Sequence, residues 1–303
     1  MAEHSLQIHF RSDLLNMKVL CPSPEFYYSL AREHAWYDYL MRGFKQIAEV
    51  EYSSGLTKFA SKFFDKSLLM FEIQGRKIIY DYSDFTGKQV HGIDDAEYFK
   101  VQALPKDGTK PIGQVVMDVS FMDKLIQLRE VKDQRVYDYD VVGLFRTTNM
   151  TWRYKAVEIV NARPDWRTMC GLHVNNLTEN VPEPLKRNRL KYDAYLNLQV
   201  RSKLVLVFAG LGGKAAFSWR LTEALAMGCA VVTHFHDTVL PNHKKFQQGI
   251  IEVSPDLKDL ESVIEHYLQN DVEREQIAQV GREYFEKYLA PKQMAQRLIK
   301  GAK

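Results

Sequence analysis

Hydrophobic positions along the chain change repeatedly from a strand-like run to a helix-like spacing and back. Met17-Lys-Val-Leu-Cys21 is a short apolar run closed by Pro22-Ser-Pro24, which predicts a first strand. From about Tyr28 to Glu49, apolar residues recur at helical spacing (Leu30, Tyr37, Leu40, Met41, Phe44, Ile47), and His34 falls in that register as a packed side chain. Lys66–Glu72 and Arg76–Tyr82 read as two strands, followed by an Asp-rich turn and two further candidates, Tyr98–Gln102 and Gln114–Asp118.

The second half alternates more clearly. Tyr139–Phe145 has the continuous apolar character of a strand buried on both faces, and a helix is expected from about Arg153 to Ala162. Thr168–His173 is a short strand, 190–198 a helix, and Ser202–Phe208 the strongest parallel-strand signal in the chain. A glycine-rich turn, Ala209–Gly213, then leads to the helix Ser218–Met227, which Gly228 ends before the strand Cys229–Thr233. Gly249–Val253, two amphipathic helices (257–269 and 271–288) and a last helix after Pro291 complete the pattern. Strand–helix–strand repetition of this kind predicts an α/β protein with doubly wound parallel sheets. The expected organisation is two Rossmann-like domains facing a cleft, 1–138 and 139–289, with 290–303 as a C-terminal helix.

Composition narrows the class. At 303 residues with 46% hydrophobic and 26% charged positions, the chain has enough apolar mass for two cores. The three cysteines, Cys21, Cys170 and Cys229, are too sparse and scattered for a disulfide framework or a zinc site, so no metal is expected. No apolar run approaches the ~18 residues of a membrane span, and the first 16 residues are too broken by Gln7, His9 and Arg11 for a signal peptide. A cytoplasmic location, or the host cytoplasm for a viral protein, is the expectation.

Charge is more informative by region than in total. Residues 146–220 hold 13 Lys/Arg against 5 Asp/Glu, whereas the flanking segments are slightly acidic. A block this basic suits phosphates, a nucleic acid or an acidic surface. Trp152, Tyr154 and Trp166 lie within it, as base-stacking aromatics or as core.

The chemistry concentrates at Leu204–Thr233. A buried strand delivers Gly210, Gly212 and Gly213 and then a helix starting near Ser218. Free N–H groups and partial positive charge at a helix start favour phosphate oxygens, and glycines let the backbone approach them. Arg220 adds a fork for phosphate, and Glu223 lies one turn further on, within reach of a sugar hydroxyl. No Gly-Lys-Ser/Thr follows, so this is not a Walker loop, and the glycine spacing departs from the dinucleotide fingerprint of oxidoreductases.

Ala216-Phe-Ser-Trp-Arg-Leu-Thr-Glu-Ala-Leu-Ala-Met-Gly-Cys-Ala-Val-Val-Thr233 resembles the donor-binding segment of GT-B glycosyltransferases, in the style of the exostosin-like branch and of family-1-type bacterial or viral enzymes. The resemblance covers residues 139–300 and includes the tail of long helices with a final helix crossing back. It implies a metal-independent transferase that moves a sugar from a nucleoside-diphosphate sugar, UDP-linked by expectation, and needs no further cofactor. Glu223 would hold the ribose and Arg220 the diphosphate, with Ser218, Gly212, Gly213 and Arg146 facing the phosphates. Many retaining members carry a second glutamate eight positions earlier; Ala215 stands there, so a paired-glutamate mechanism is not supported.

A general base on the acceptor side has three candidates, Glu25, Asp84 and His91. The acceptor would be a glycan, a small molecule or, in a viral-type version, a base of DNA. A non-catalytic nucleotide- or partner-binding protein on the same fold is the reading of another class. His234-Phe-His236-Asp237 is read as a donor-sugar or phosphate contact in preference to a metal cluster.

Overall fold

The computed structural model describes residues 17–29, 34–63, 66–83, 86–90, 92, 93, 95–134, 136–147, 151–173, 181–208, 218–234 and 238–302. Two compact units divide the chain. Unit 1 takes Met1–Val119, Val239–Pro241 and Lys287–Lys303; unit 2 takes Ser120–Thr238 and Asn242–Glu286.

In unit 1, β1 (Lys18–Cys21) is followed by α1 (Pro24–Tyr28), α2 (His34–Phe44), β2 (Glu49–Tyr52), α3 (Ser54–Ala60), β3 (Leu68–Ile73), β4 (Arg76–Asp81), β5 (Ala96–Lys100) and β6 (Lys110–Pro111). The sheet order is β2-β1-β3-β4-β5-β6. Three neighbouring pairs are parallel, and the β3–β4 hairpin places antiparallel pairing in the middle. That hairpin turns on Gln74 and Gly75, at φ of 52° and 76°. Two consecutive positive φ values match the right-handed twist of the flanking strands.

The long helix expected to reach Glu49 stops at Phe44, because Glu49-Val-Glu-Tyr52 pairs in parallel with β1 instead. His34 is exposed at the start of α2 rather than packed, its ring edge-on to Tyr28. Gln114–Asp118 is not a strand. Gln114 spends its side-chain carbonyl on the Trp36 indole and the Val115 amide, and the edge strand is the shorter Lys110–Pro111.

Unit 2 contains α4 (Met122–Asp133), β7 (Tyr139–Arg146), α5 (Thr151–Asn161), β8 (Thr168–His173), α6 (Tyr192–Val200), β9 (Ser202–Leu206), α7 (Trp219–Ala226), β10 (Val231–Thr233), α8 (His243–Gln247), β11 (Ile251–Glu252), α9 (Leu260–Gln269) and α10 (Asp271–Tyr284). All its strand pairs are parallel, in the order β11-β10-β9-β7-β8. The core is the double-faced apolar content of the strands (Val141, Phe145, Leu204, Leu206, Val232) closed by Ala156, Val157, Ile264 and Ala278 from the helices. Burying such side chains fully stabilises by roughly 1.5–3 kcal/mol each, which is why these strands read as unbroken apolar runs.

The chain ends in α11 (Pro291–Gly301), which belongs to unit 1 and packs on α2. Contact is close enough that a Cβ on Gly43 would sit 2.1 Å from the Pro291 carbonyl oxygen. Tyr39, buried on α2, donates to the Leu289 carbonyl at 2.8 Å. The α/β class is the one expected from the alternation of strands and helices. Among the described residues no helix is long and apolar enough to cross a membrane.

Candidate functional site

Unit 2 reverses direction between β7 and its neighbours. The chain steps from β7 to β8 on one side, then to β9 on the other, so the carboxyl ends of β7 and β9 open the crevice where open α/β sheets bind ligands. Arg153, in the first turn of α5 and 8% exposed, closes this point from below. Its guanidinium donates to the Phe208 carbonyl beyond β9 at 3.0 and 3.2 Å, and to the Arg146 carbonyl at the end of β7 at 3.0 Å. One side chain thereby ties both strand ends and places a fixed positive charge beneath the crevice.

Further cations gather around it. Arg146 ends β7 with its side chain exposed and pairs in register with His173, the last residue of β8. Arg220, in the first turn of α7, donates to the Leu144 carbonyl of β7 at 2.7 Å and lies over the Tyr195 ring at 5.2 Å. His173 registers the result. Partial burial, then the charges of Arg220, Arg189, Arg146 and Arg153, push its pKa down to about 4. Burial first, and the neighbouring guanidinium charges second, favour the neutral imidazole there.

At the start of α7, Ser218 is the N-cap residue, but its side chain caps nothing. Its buried hydroxyl makes no hydrogen bond among the described residues. The first amides of α7 and this hydroxyl therefore form a donor set for an anion. Glu223, one turn on, is fully buried, and its Oε1 accepts from the Tyr192 hydroxyl of α6 at 2.5 Å. Tyr192 is itself packed edge-on against Phe121 at 4.9 Å.

The structure thus groups Arg146, Ser218, Arg220 and Glu223 of the expected donor residues in unit 2. It adds Arg153, His173, Tyr192 and Tyr195, which sequence reasoning did not single out; the signal available was the basic excess over 146–220. Gly212 and Gly213 lie outside the described residues, as do Asp84 and His91 of the base candidates. Glu25 is exposed in the first turn of α1 and accepts from Ser23 Oγ at 2.6 Å, which holds its carboxyl below the ordinary range. His234 is buried, with its ring 4.6 Å from Trp152 and 5.2 Å from Phe208; His236 and Asp237 lie outside the described residues. Trp166 is buried in the unit 2 core, and Trp152 and Tyr154 pack against it, so these aromatics serve the core.

The family model for glycosyl transferase-like proteins matches residues 128–300, more than half of the chain. The chain belongs to the glycosyl transferase-like family. That is the assignment the Ala216–Thr233 resemblance implied, without its exostosin-like or viral detail. The matched residues of this glycosyl transferase-like chain take in nearly all of unit 2 and reach α11. No curated protein matches the sequence.

Among solved structures, similarity is found to Anabaena HepE in complex with UDP-glucose, at 14% identity over 70% of this chain and 58% of that one, with a TM-score of 0.45. The sucrose-phosphate synthase of Thermosynechococcus elongatus is 14% identical over 58% of this chain and 49% of that one, with a TM-score of 0.40. The trehalose-6-phosphate phosphatase N-terminal domain of Candida albicans is 14% identical over 94% of this chain and 64% of that one, with a TM-score of 0.41. This glycosyl transferase-like chain spans about half to two thirds of the length of these structures.

Proposed function

We propose that the protein is a glycosyltransferase that binds a nucleoside-diphosphate sugar at the carboxyl ends of β7 and β9 and transfers the sugar to a hydroxyl acceptor. The observation that carries this reading is the set of cations at these strand ends: Arg153 donating to the Phe208 and Arg146 carbonyls, Arg220 donating to the Leu144 carbonyl, and Arg146 exposed at the end of β7, with Ser218, whose side chain caps nothing, at the start of α7. A diphosphate brings the charge such a spot lacks, and the family membership supplies the reaction class.

In this reading Arg146, Arg220, Ser218 and the first amides of α7 hold the diphosphate, and Gly212 and Gly213 are proposed as further phosphate contacts. As the bond between the anomeric carbon and the diphosphate breaks, charge grows on the leaving oxygen. Fixed cations and helix-start dipoles stabilise that charge without reorganising, which takes the place of a metal ion. Glu223, oriented by Tyr192, accepts from a ribose hydroxyl. A base takes the proton from the acceptor hydroxyl as its oxygen bonds to the sugar; Glu25, Asp84 and His91 are the candidates we put forward. A UDP-sugar is the donor we propose, and a cytoplasmic setting goes with it.

The test is a thermal-shift panel of UDP, GDP, ADP, CMP and their sugar conjugates, with and without EDTA. A ligand at 100 times its dissociation constant stabilises by about 2.7 kcal/mol, a readily visible shift. We expect one nucleotide to raise the midpoint, unchanged by EDTA, and the exposed-site variant Arg146→Ala to reduce that rise. No shift with any of them, or a shift indifferent to Arg146→Ala, refutes the site. Binding without donor hydrolysis or transfer to any acceptor refutes the catalytic part and leaves a nucleotide-binding protein.

A further inference from the structure

Among the described residues two Tyr, Phe or Trp side chains are exposed, Tyr28 at 55% and Tyr52 at 52%, and every other such ring is buried or half-buried. Both stand at one end of the unit 1 sheet. Tyr52 is the last residue of β2 and pairs in register with Cys21, the last residue of β1, so the two parallel strands end side by side. Tyr28 closes α1, the helix that opens just after β1. In open α/β sheets the carboxyl ends of the strands are where ligands bind.

Tyr28 is exposed but not loose. Its hydroxyl donates to Asp38 Oδ1 on α2 at 2.8 Å, and its ring stands edge-on to Tyr37, 6.4 Å away at 89°. Tyr37 is buried and donates to the Pro22 carbonyl, just past β1, at 3.0 Å. His34 lies edge-on to the Tyr28 ring from another side, at 6.5 Å. A ring held in this way presents its free face without an ordering cost when a ligand binds. Packing does not need that face, because the core beneath is closed by Tyr27 and Tyr37, whose rings meet at 4.7 Å.

The groups around the two rings are acidic. The Tyr28 phenol is pushed up to about 12, first by its bond to Asp38, then by burial and by the neighbouring Asp38, Tyr52 and Glu25. Tyr52 and Glu25 therefore lie close to Tyr28. Asp38 accepts from Tyr28, and Glu25 accepts from Ser23 Oγ at 2.6 Å. A carboxylate has room for about four such bonds, so each keeps capacity for further donors.

We propose that the carboxyl ends of β1 and β2 bind the acceptor, and that the acceptor is a neutral saccharide. The faces of Tyr28 and Tyr52 take the C–H faces of the sugar rings, and Asp38 and Glu25 accept from its hydroxyls. A polyanion, whether a nucleic acid or a sulfated glycan, meets two carboxylates there and is disfavoured by like charge. As an acceptor site this rests on the transferase reading, whereas as a saccharide site it stands on unit 1 alone.

Saturation-transfer NMR titrations of the full chain, with and without UDP, test it on neutral trisaccharides of glucose, galactose, mannose and N-acetylglucosamine. We expect at least one to bind saturably. The double variant Tyr28→Ala, Tyr52→Ala, at two exposed positions, should weaken it about tenfold or more, with the melting midpoint of the free protein unchanged. A sulfated oligosaccharide and a single-stranded DNA oligonucleotide should not displace the bound sugar. No binding by any trisaccharide, equal affinity in the double variant, a loss that comes with a lowered midpoint, or displacement by either polyanion would each overturn the proposal. A nucleotide shift without sugar binding fails this site alone. Sugar binding without a nucleotide shift keeps the saccharide site and fails the donor reading alone.

Discussion

Tyr192 on α6 donates its hydroxyl to the buried carboxylate of Glu223 on α7 at 2.5 Å. The residue assigned to the donor's ribose is thus aimed by a side chain thirty-one positions earlier in the sequence. Tyr192→Phe keeps the ring's packing on Phe121 and deletes only the donated bond. A hydrogen bond to a charged group contributes about 1.5–3 kcal/mol, so nucleotide affinity should fall about tenfold or more, with a lower melting midpoint. Titration of the wild type and the variant with the same nucleotide checks it. An unchanged dissociation constant would remove Glu223 from the donor site.

The arginine cluster makes binding depend on protons. His173 has a folded pKa near 4 against 6.5 for an unperturbed histidine, so it is neutral in the folded protein where the unfolded chain takes up a proton. Its contribution to stability is complete above about pH 6.5 and is drawn down as pH falls towards 4. A bound diphosphate opposes the four arginines and raises the His173 pKa. Binding at about pH 5.5 should therefore take up protons through this residue. Calorimetry in two buffers of different ionisation enthalpy measures the uptake, and His173→Gln should reduce it. Equal uptake in that variant would place the anion elsewhere.

Much of this was legible before the structure because local patterns and tertiary demands agreed. Val141, Leu204 and Val232 lie in apolar runs that had to be parallel strands, and the β9–α7–β10 step came with its glycines and its Ser218 start. The arginine site was visible only as an excess of charge. Arg153 donates across to Phe208, fifty-five positions later, and no local rule marks it out from Lys155. Unit 1 was harder to read. The helical spacing runs on past Phe44 to Ile47, yet the helix ends at Phe44 and Glu49–Tyr52 pairs along the edge that β1 offers, and Gln114 is withdrawn from any strand by Trp36.

Gly43 is a position where a single methyl group should matter. A Cβ there would lie 2.1 Å from Pro291 O, 2.5 Å from Pro291 C and 2.9 Å from Ala295 Cβ, and two of those atoms are backbone. Gly43→Ala must push α11 away from α2. Overpacking of this kind typically costs about 1–3 kcal/mol, against a gain of up to ~1 kcal/mol from helix propensity. Thermal denaturation should show a lower midpoint. A midpoint at or above the wild type would mean that the α2–α11 contact is looser than drawn.

The last prediction concerns a charge pair within unit 1. Asp81 closes β4 and Lys100 closes β5, and both side chains are fully buried with Nζ 2.9 Å from the carboxylate. The network is well satisfied. Tyr98 donates to the second carboxylate oxygen at 2.5 Å, the Ser83 amide donates to the first at 3.0 Å, and Lys100 donates to Ser83 Oγ at 2.8 Å. Against that carboxylate and with burial, the Tyr98 phenol is pushed well above its usual pKa, so it stays a donor at any physiological pH. Removing one member strands the other: Lys100→Met leaves a buried carboxylate without its cation, at a cost of about 3–5 kcal/mol. The double variant Asp81→Asn, Lys100→Met removes both charges and should recover much of that loss. Urea denaturation of the two single variants and the double one gives the coupling directly. Additive losses would mean that the two residues stabilise the sheet independently rather than as a pair.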